Sequence, residues 1–301
     1  MKIKDLMYVE NIHVNANETL NEDESSKVSR YDVMLNYIRQ NCKPYLEKFP
    51  KDKPLYRADN VNTDYIIRTT REDREPKSGT FSTPEFKKNF EKLLIEQNHN
   101  PRDKNTVFVM SGMDPSVLKM HGGNVFYIIP IGEFSITYDK TSGSDFNLGN
   151  KIKKPFEAIS KLIMMFKYRL HEKDYEDELI GRYELTGNKR YKKFIRIIES
   201  INGMLENSEL FLEKNISYIK KTIVELNDIM EVDDFSTKND SEEIIKGLKG
   251  IISLVEHVKE NFLTDDISEL FTDIREAHIR CDQYIMINDS DYPFVYLMED
   301  L

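Results

Sequence analysis

Cysteine, phosphate-binding glycine loops and long apolar runs are scarce or absent in this chain of 301 residues. The only two cysteines, Cys42 and Cys281, lie far apart and outside any CxxC or Cys/His cluster, so we expect free thiols and no metal site. Neither GxxxxGKS/T nor GxGxxG occurs, which excludes the common phosphate loops. No apolar run approaches the about 20 residues of a membrane helix, and no signal peptide is evident at the N-terminus. We therefore expect a protein that neither spans a membrane nor is secreted by a signal peptide.

A basic excess is also missing. The formal net charge is −10, and it divides unevenly: residues 1–150 carry a net −1 and residues 151–301 a net −9. A protein that binds nucleic acid non-specifically needs a basic surface, so we expect no nucleic-acid partner. The acidic second half could meet a basic partner or be simply a solvated surface.

Changes in pattern divide the chain into three predicted parts. Residues 1–25 include an acidic, Asn-rich stretch and read as an arm or loosely ordered segment. Residues 26–150 combine helices with short strands, and residues 151–301 read as α-helical throughout. The predicted fold class is therefore α+β, with a small sheet domain followed by a helical, bundle-like region.

Short runs rich in Val, Ile, Tyr and Phe predict the strands, and apolar residues at helical spacing predict the helices. The predicted strands are 54–58, 64–69, 106–111, 124–130 and 133–138. The predicted helices are 26–48 with an interruption near Pro44, one beginning around Ser82–Glu85, and then 155–170, 191–206, 209–231, 241–262 and 265–285. The stripe predicted to lie inward in the last helix contains Ile267, Leu270, Ile274 and Cys281.

One arginine on the first predicted strand is the main candidate for a functional residue. Arg57 lies in the sequence Leu55-Tyr56-Arg57-Ala58. An arginine on a strand presents a permanently charged, planar fork that suits a phosphate or a carboxylate. Alternatively, Arg57 simply pairs with Asp59 or Asp64 at the surface, where such pairs contribute little.

Four motifs in order along residues 50–139 resemble those of the ADP-ribosyltransferase-like fold in the divergent form found in tailed-phage proteins. Residues 55–58 resemble its first-strand LYRG element, and residues 67–76 its Arg-rich segment, which here includes Arg68, Arg71 and Arg74. Residues 106–112 resemble the second motif, and residues 124–134 resemble the third strand with its following P-x-G-x-F.

The resemblance implies NAD as the substrate and no metal. Carried over by position, Arg57 would bind the phosphates of the dinucleotide. Tyr56 and Arg68 would also contact NAD, and Ser111 would supply the hydroxyl that orders the site. Cleavage of the bond between nicotinamide and ribose passes through a cation-like sugar. A carboxylate near the ribose stabilises that charge.

The chain departs from the family at the third motif. The position of the catalytic glutamate is held by Asn124, which can bind ribose but carries no charge. Glu133 lies nine residues later, and Asp114 and Asp139 are possible substitutes without support from position. We therefore count Arg57, Ser111 and Asn124 as the catalytic candidates and leave enzymatic activity open.

Two main functions follow, and a third, weaker one is an inhibitor or scaffold that uses the helices alone. The first is a phage-type protein that binds NAD and transfers ADP-ribose to a host macromolecule. The second is a non-enzymatic virion or assembly protein in which the fold is degenerate and the acidic helices bind a protein partner. Either one implies a location in the host cytoplasm or the virion, with oligomerisation possible.

Overall fold

The computed structural model describes residues 30–71, 84–102, 104–119, 123–141, 159, 189–230 and 235–301. The predicted N-terminal arm, Arg74 and almost all of the predicted helix 155–170 lie outside these residues. The described part is α+β, with eight helices and one open sheet of eight antiparallel strands.

The helices and strands have the following bounds. The helices are α1 Arg30–Asn41, α2 Lys43–Lys48, α3 Pro84–Glu96, α4 Pro115–Lys119, α5 Lys189–Glu206, α6 Glu213–Met230, α7 Phe235–Asn261 and α8 Phe294–Asp300. The strands are β1 Tyr56–Asp59, β2 Tyr65–Thr69, β3 Thr106–Ser111, β4 Asn124–Ile131, β5 Ser135–Asp139, β6 Phe262–Thr264, β7 Arg275–Arg280 and β8 Gln283–Asn288.

The sequence pattern locates most of these elements. All five predicted strands are confirmed within two residues at each end. The interruption expected near Pro44 is confirmed at Cys42, where α1 ends and α2 begins with Pro44 in its first turn. Helices α3, α5 and α6 also begin within four residues of their predicted starts. Helix α7 ends within one residue of its predicted end but begins at Phe235, six residues before the predicted start at 241.

The predicted helix over 265–285 is wrong, because this stretch contains β7 and the start of β8. Ile267 and Leu270 do reach the core, but from an irregular segment that begins at Asp265 with a φ of 63°. The apolar run in β8 is typical of a central strand buried on both faces rather than of a helix. The region 151–301 is therefore not helical throughout, since its last part supplies three strands of the sheet.

The sheet has the strand order β2-β8-β4-β1-β3-β7-β5-β6. Strands β7 and β8 are consecutive in the chain and joined by two residues, although three strands lie between them in the sheet. A flat sheet would hold them about 19 Å apart, whereas the three Cα–Cα steps from Arg280 to Gln283 span at most about 11 Å. The sheet must therefore fold over on itself. Strands β2, β8, β4 and β1 form one layer, and β3, β7, β5 and β6 form the other.

Two hydrophobic clusters stabilise the described residues. The first contains the strands together with α1, α2 and α8, and its fully buried side chains include Phe126, Ile128 and Ile279. The second contains α3, α5, α6 and α7, together with Phe262 of β6. The apolar stripes of α6 and α7 face this second cluster, so they are internal packing surfaces.

Candidate functional site

Arg57 lies where the two layers of the sheet separate. Strand β1 pairs with β4 along its whole length, but it pairs with β3 only at Tyr56 and Met110. Beyond that pair the two strands diverge, and Nη1 of Arg57 donates to the carbonyl oxygen of Phe108 at 3.4 Å. The local structure thus places a guanidinium in the gap between β1 and β3.

The hydrogen bonding of Arg57 is incomplete. Its side chain is 26% exposed, and Nε lies 3.8 Å from Oδ2 of Asp59, an ion pair too long for a hydrogen bond. Nε is also buried and has no hydrogen-bond acceptor. A guanidinium carries five N–H donors, and only the long bond to Phe108 uses one of them in the part of the chain that the structure describes.

Among the described residues, Asp59 is the one carboxylate within 4 Å of Arg57, and it also binds Arg68. The two nitrogens Nη1 and Nη2 of Arg68 donate to Oδ2 and Oδ1 of Asp59 at 2.9 Å and 3.4 Å. Strands β8 and β4 lie between β2 and β1, so a flat sheet would hold the two backbones about 14 Å apart. The contact therefore requires this layer of the sheet to curve strongly.

Asn124 lies directly across from Asp59 in the pairing of β1 with β4. Its amide Nδ2 donates one of its two N–H groups to the carbonyl oxygen of Val61 at 2.7 Å, and the side-chain oxygen remains an acceptor. Gly123 precedes it with a φ of 90°, and a Cβ there would lie 2.5 Å from the carbonyl oxygen of Asp59. Only glycine fits this close approach.

Ser111 is fully buried, and its hydroxyl is used by the backbone. It donates to the carbonyl oxygen of Leu270 at 2.5 Å and lies 3.4 Å from that of Arg275. The hydroxyl therefore ties β3 to the segment before β7. In this position it orders the protein itself.

Tyr56 lies on the other face of β1 from Arg57, because successive side chains of a strand alternate. Burial, followed by the charge of Asp289, raises the pKa of Tyr56. Burial likewise raises the pKa of Asp289. The structure thus brings Arg57, Arg68 and Asn124 together around Asp59, and it separates Tyr56 from them.

The three substitute carboxylates are all elsewhere. Glu133 is exposed in the turn after β4. Asp114 is at the start of α4, where hydrogen bonds from Ser116 lower the pKa of the carboxyl. Asp139 is buried in β5 and lies 2.8 Å from Nε2 of His257.

The sequence suggested a role for Asp59 only as a surface partner of Arg57. The pairing itself is confirmed, at 3.8 Å. The sequence did place Asp59 near Arg57, since residues two apart on a strand lie on the same face of the sheet. The link to Arg68 had no such signal, because it depends on the strand order.

The chain matches no protein-family model, no curated protein and no solved structure. Within the described residues, no helix is long and apolar enough to cross a membrane. The same residues contain no group of three or more His, Cys, Asp or Glu side chains that could hold a metal ion. The family resemblance and the function that it implies therefore remain proposals.

Proposed function

We propose that the chain is an ADP-ribosyltransferase-like protein that binds NAD through Arg57. The observation that carries this proposal is the incompletely bonded guanidinium between β1 and β3. A charged donor group without sufficient acceptors favours an anionic ligand, and arginine binds phosphate with two parallel hydrogen bonds. The pyrophosphate of NAD has this chemistry.

The charge balance around Arg57 supports an anion. Two guanidiniums, those of Arg57 and Arg68, share one carboxylate, that of Asp59. The three side chains together therefore carry one positive charge in excess. The side-chain oxygen of Asn124, across from Asp59, adds an acceptor for a ribose hydroxyl.

Transfer of ADP-ribose is the second step of the proposal. The bond between ribose C1′ and the nicotinamide nitrogen breaks, and its electron pair leaves with nicotinamide. The nucleophile of the target forms the new bond to C1′ and releases its proton to solvent. Asp59 lies 3.8 Å from Nε of Arg57, so it is the carboxylate of the described residues that would stabilise the positive charge on the sugar.

Two observations favour the alternative, a non-enzymatic protein with a degenerate site. The hydroxyl of Ser111 and the amide nitrogen of Asn124 both bind backbone carbonyls. In this alternative the helices bind a protein partner through exposed positions such as Tyr218 and Val224 of α6. The buried stripe that includes Ile219 would not serve, since making it polar would disrupt the packing of the helices.

The test incubates the purified protein with labelled NAD and a bacterial lysate and also measures NAD affinity by calorimetry. We expect wild type to bind NAD and Arg57→Ala to lose binding and label transfer while retaining its circular dichroism. Arg71→Ala is the matched control, because Arg71 is an exposed arginine near the end of β2. Binding without transfer of label would limit the function to NAD binding. Equal, negligible binding by folded wild type and Arg57→Ala would contradict the proposal and favour the alternative.

A further inference from the structure

Arg57 and Arg68 compete for one carboxylate, and Arg68 holds it. Arg68 donates from both terminal nitrogens to both oxygens of Asp59, with a shorter distance of 2.9 Å. Arg57 approaches the same carboxylate only through Nε, at 3.8 Å. A paired fork of this kind occupies both oxygens of a carboxylate in a fixed orientation.

The positions of Arg57 and Asp59 would permit a direct hydrogen bond between their side chains, which the structure does not contain. Asp59 is two residues from Arg57 on the same face of the same strand, so their Cα atoms are about 7 Å apart. Arg68 reaches Asp59 from another strand of the same curved layer. Without Arg68, the free carboxylate could rotate towards Arg57 and satisfy Nε, which has no acceptor now.

We propose that Arg68 is a positioning residue that keeps Arg57 available for a phosphate-bearing ligand by binding Asp59. This inference rests on the proposed function for its ligand, a nucleotide with a pyrophosphate. It assigns Arg68 an indirect role in place of the direct contact with NAD that the sequence predicted. Asp59 is then an internal anion that competes with the ligand for Arg57.

Three variants separate this role from a direct contact. Arg68→Ala releases Asp59 to Arg57, and we expect NAD to bind about tenfold more weakly. Asp59→Asn removes the competing anion, so we expect tighter binding. In the double variant Arg68→Ala with Asp59→Asn, affinity returns to the wild-type value or above it. If Arg68 contacted NAD directly, the double variant would bind more weakly than Asp59→Asn by the same factor that separates Arg68→Ala from wild type.

Two control variants test whether the loss of a positive charge alone explains the effect of Arg68→Ala on NAD affinity. Arg71→Ala removes a similar charge next to β2 and should change the affinity less than Arg68→Ala does. Arg68→Lys keeps the charge but cannot form the fork with two parallel hydrogen bonds. We expect Arg68→Lys to bind NAD several-fold more weakly than wild type, whereas an effect of charge alone would leave its affinity unchanged.

A measurement without ligand decides the inference even if NAD does not bind. The Nε–Hε resonance of Arg57, assigned by nuclear magnetic resonance, reports whether Nε has an acceptor. We expect this resonance to move downfield and exchange more slowly in Arg68→Ala than in wild type, with both proteins folded. An unchanged resonance would overturn the inference. Failure of wild type to bind either NAD or inorganic pyrophosphate would instead contradict the proposed function.

Discussion

The hydroxyl of Ser111 donates to the carbonyl oxygen of Leu270 at 2.5 Å, and this bond joins residues 159 positions apart in the chain. Both residues are fully buried, so loss of the hydroxyl leaves a buried carbonyl without its donor. We expect Ser111→Ala to lower the free energy of unfolding by about 1–3 kcal/mol. NAD affinity should remain unchanged.

Urea denaturation measures the stability effect, and Ser253→Ala is its control. Ser253 is exposed on α7, so its replacement should change the free energy of unfolding by no more than about 0.5 kcal/mol. A folded Ser111→Ala protein with normal stability but lost NAD binding would show that the hydroxyl serves a ligand after all.

Gly123 is a position where substitution by alanine should destabilise the protein. A Cβ at Gly123 would overlap the carbonyl of Asp59, whereas one at Gly132, with a similar positive φ of 72°, would meet nothing within 4 Å. We expect Gly132→Ala to cost about 1–2 kcal/mol from backbone strain alone. Gly123→Ala should cost more and also weaken NAD binding, because Asp59 must shift. Thermal unfolding and calorimetry test the pair, and equal effects of the two substitutions would contradict the clash.

The pH dependence of stability should reflect His99. Nδ1 of His99 lies 2.9 Å from the hydroxyl of Thr264, and burial lowers the pKa of His99 below its usual 6.5. As the pH falls below about 6.5, the unfolded chain takes up a proton that the folded protein still excludes. The stability contributed by neutral His99 is thus complete above this pH and is lost as the pH falls towards the lowered pKa.

His99→Gln checks this expectation, since glutamine can still reach Thr264 but does not titrate. Urea denaturation between pH 8 and pH 5 should show a smaller decline in stability for His99→Gln than for wild type. Identical declines would assign the pH dependence to other groups.

Both cysteines should be unreactive in the folded protein. Cys42 and Cys281 are free thiols, as the sequence predicted, and both are buried. Burial raises the pKa of each thiol to about 12. At pH 8 the thiolate is then only about one part in ten thousand of each. We expect a thiol reagent to label neither cysteine until denaturant is added. The exposed variant Ser253→Cys should react at once, and rapid labelling of native wild type would contradict the burial.

The sequence predicted the five strands before residue 140 because each is a short apolar run between turn signals. It missed β7 and β8 because Ile267, Leu270 and Ile274 at helical spacing precede them. Ile267 and Leu270 pack from an irregular segment, whereas Ile274, which the sequence predicted to lie inward, is exposed. Arg57 was found from its place on a strand. Its relation to Arg68 through Asp59 was not found, because only the strand order and the curvature of one layer of the sheet bring β2 and β1 together.

The position of β8 between β2 and β4 has a consequence for how the protein is made. Synthesis on the ribosome produces β2 and β4 well over a hundred residues before the strand that joins them. Until residues 283–288 emerge, the facing edges of β2 and β4 have no partner within this sheet, and unpaired edges promote aggregation. The fold therefore leaves these two edges open to association with other chains until the last strands are made.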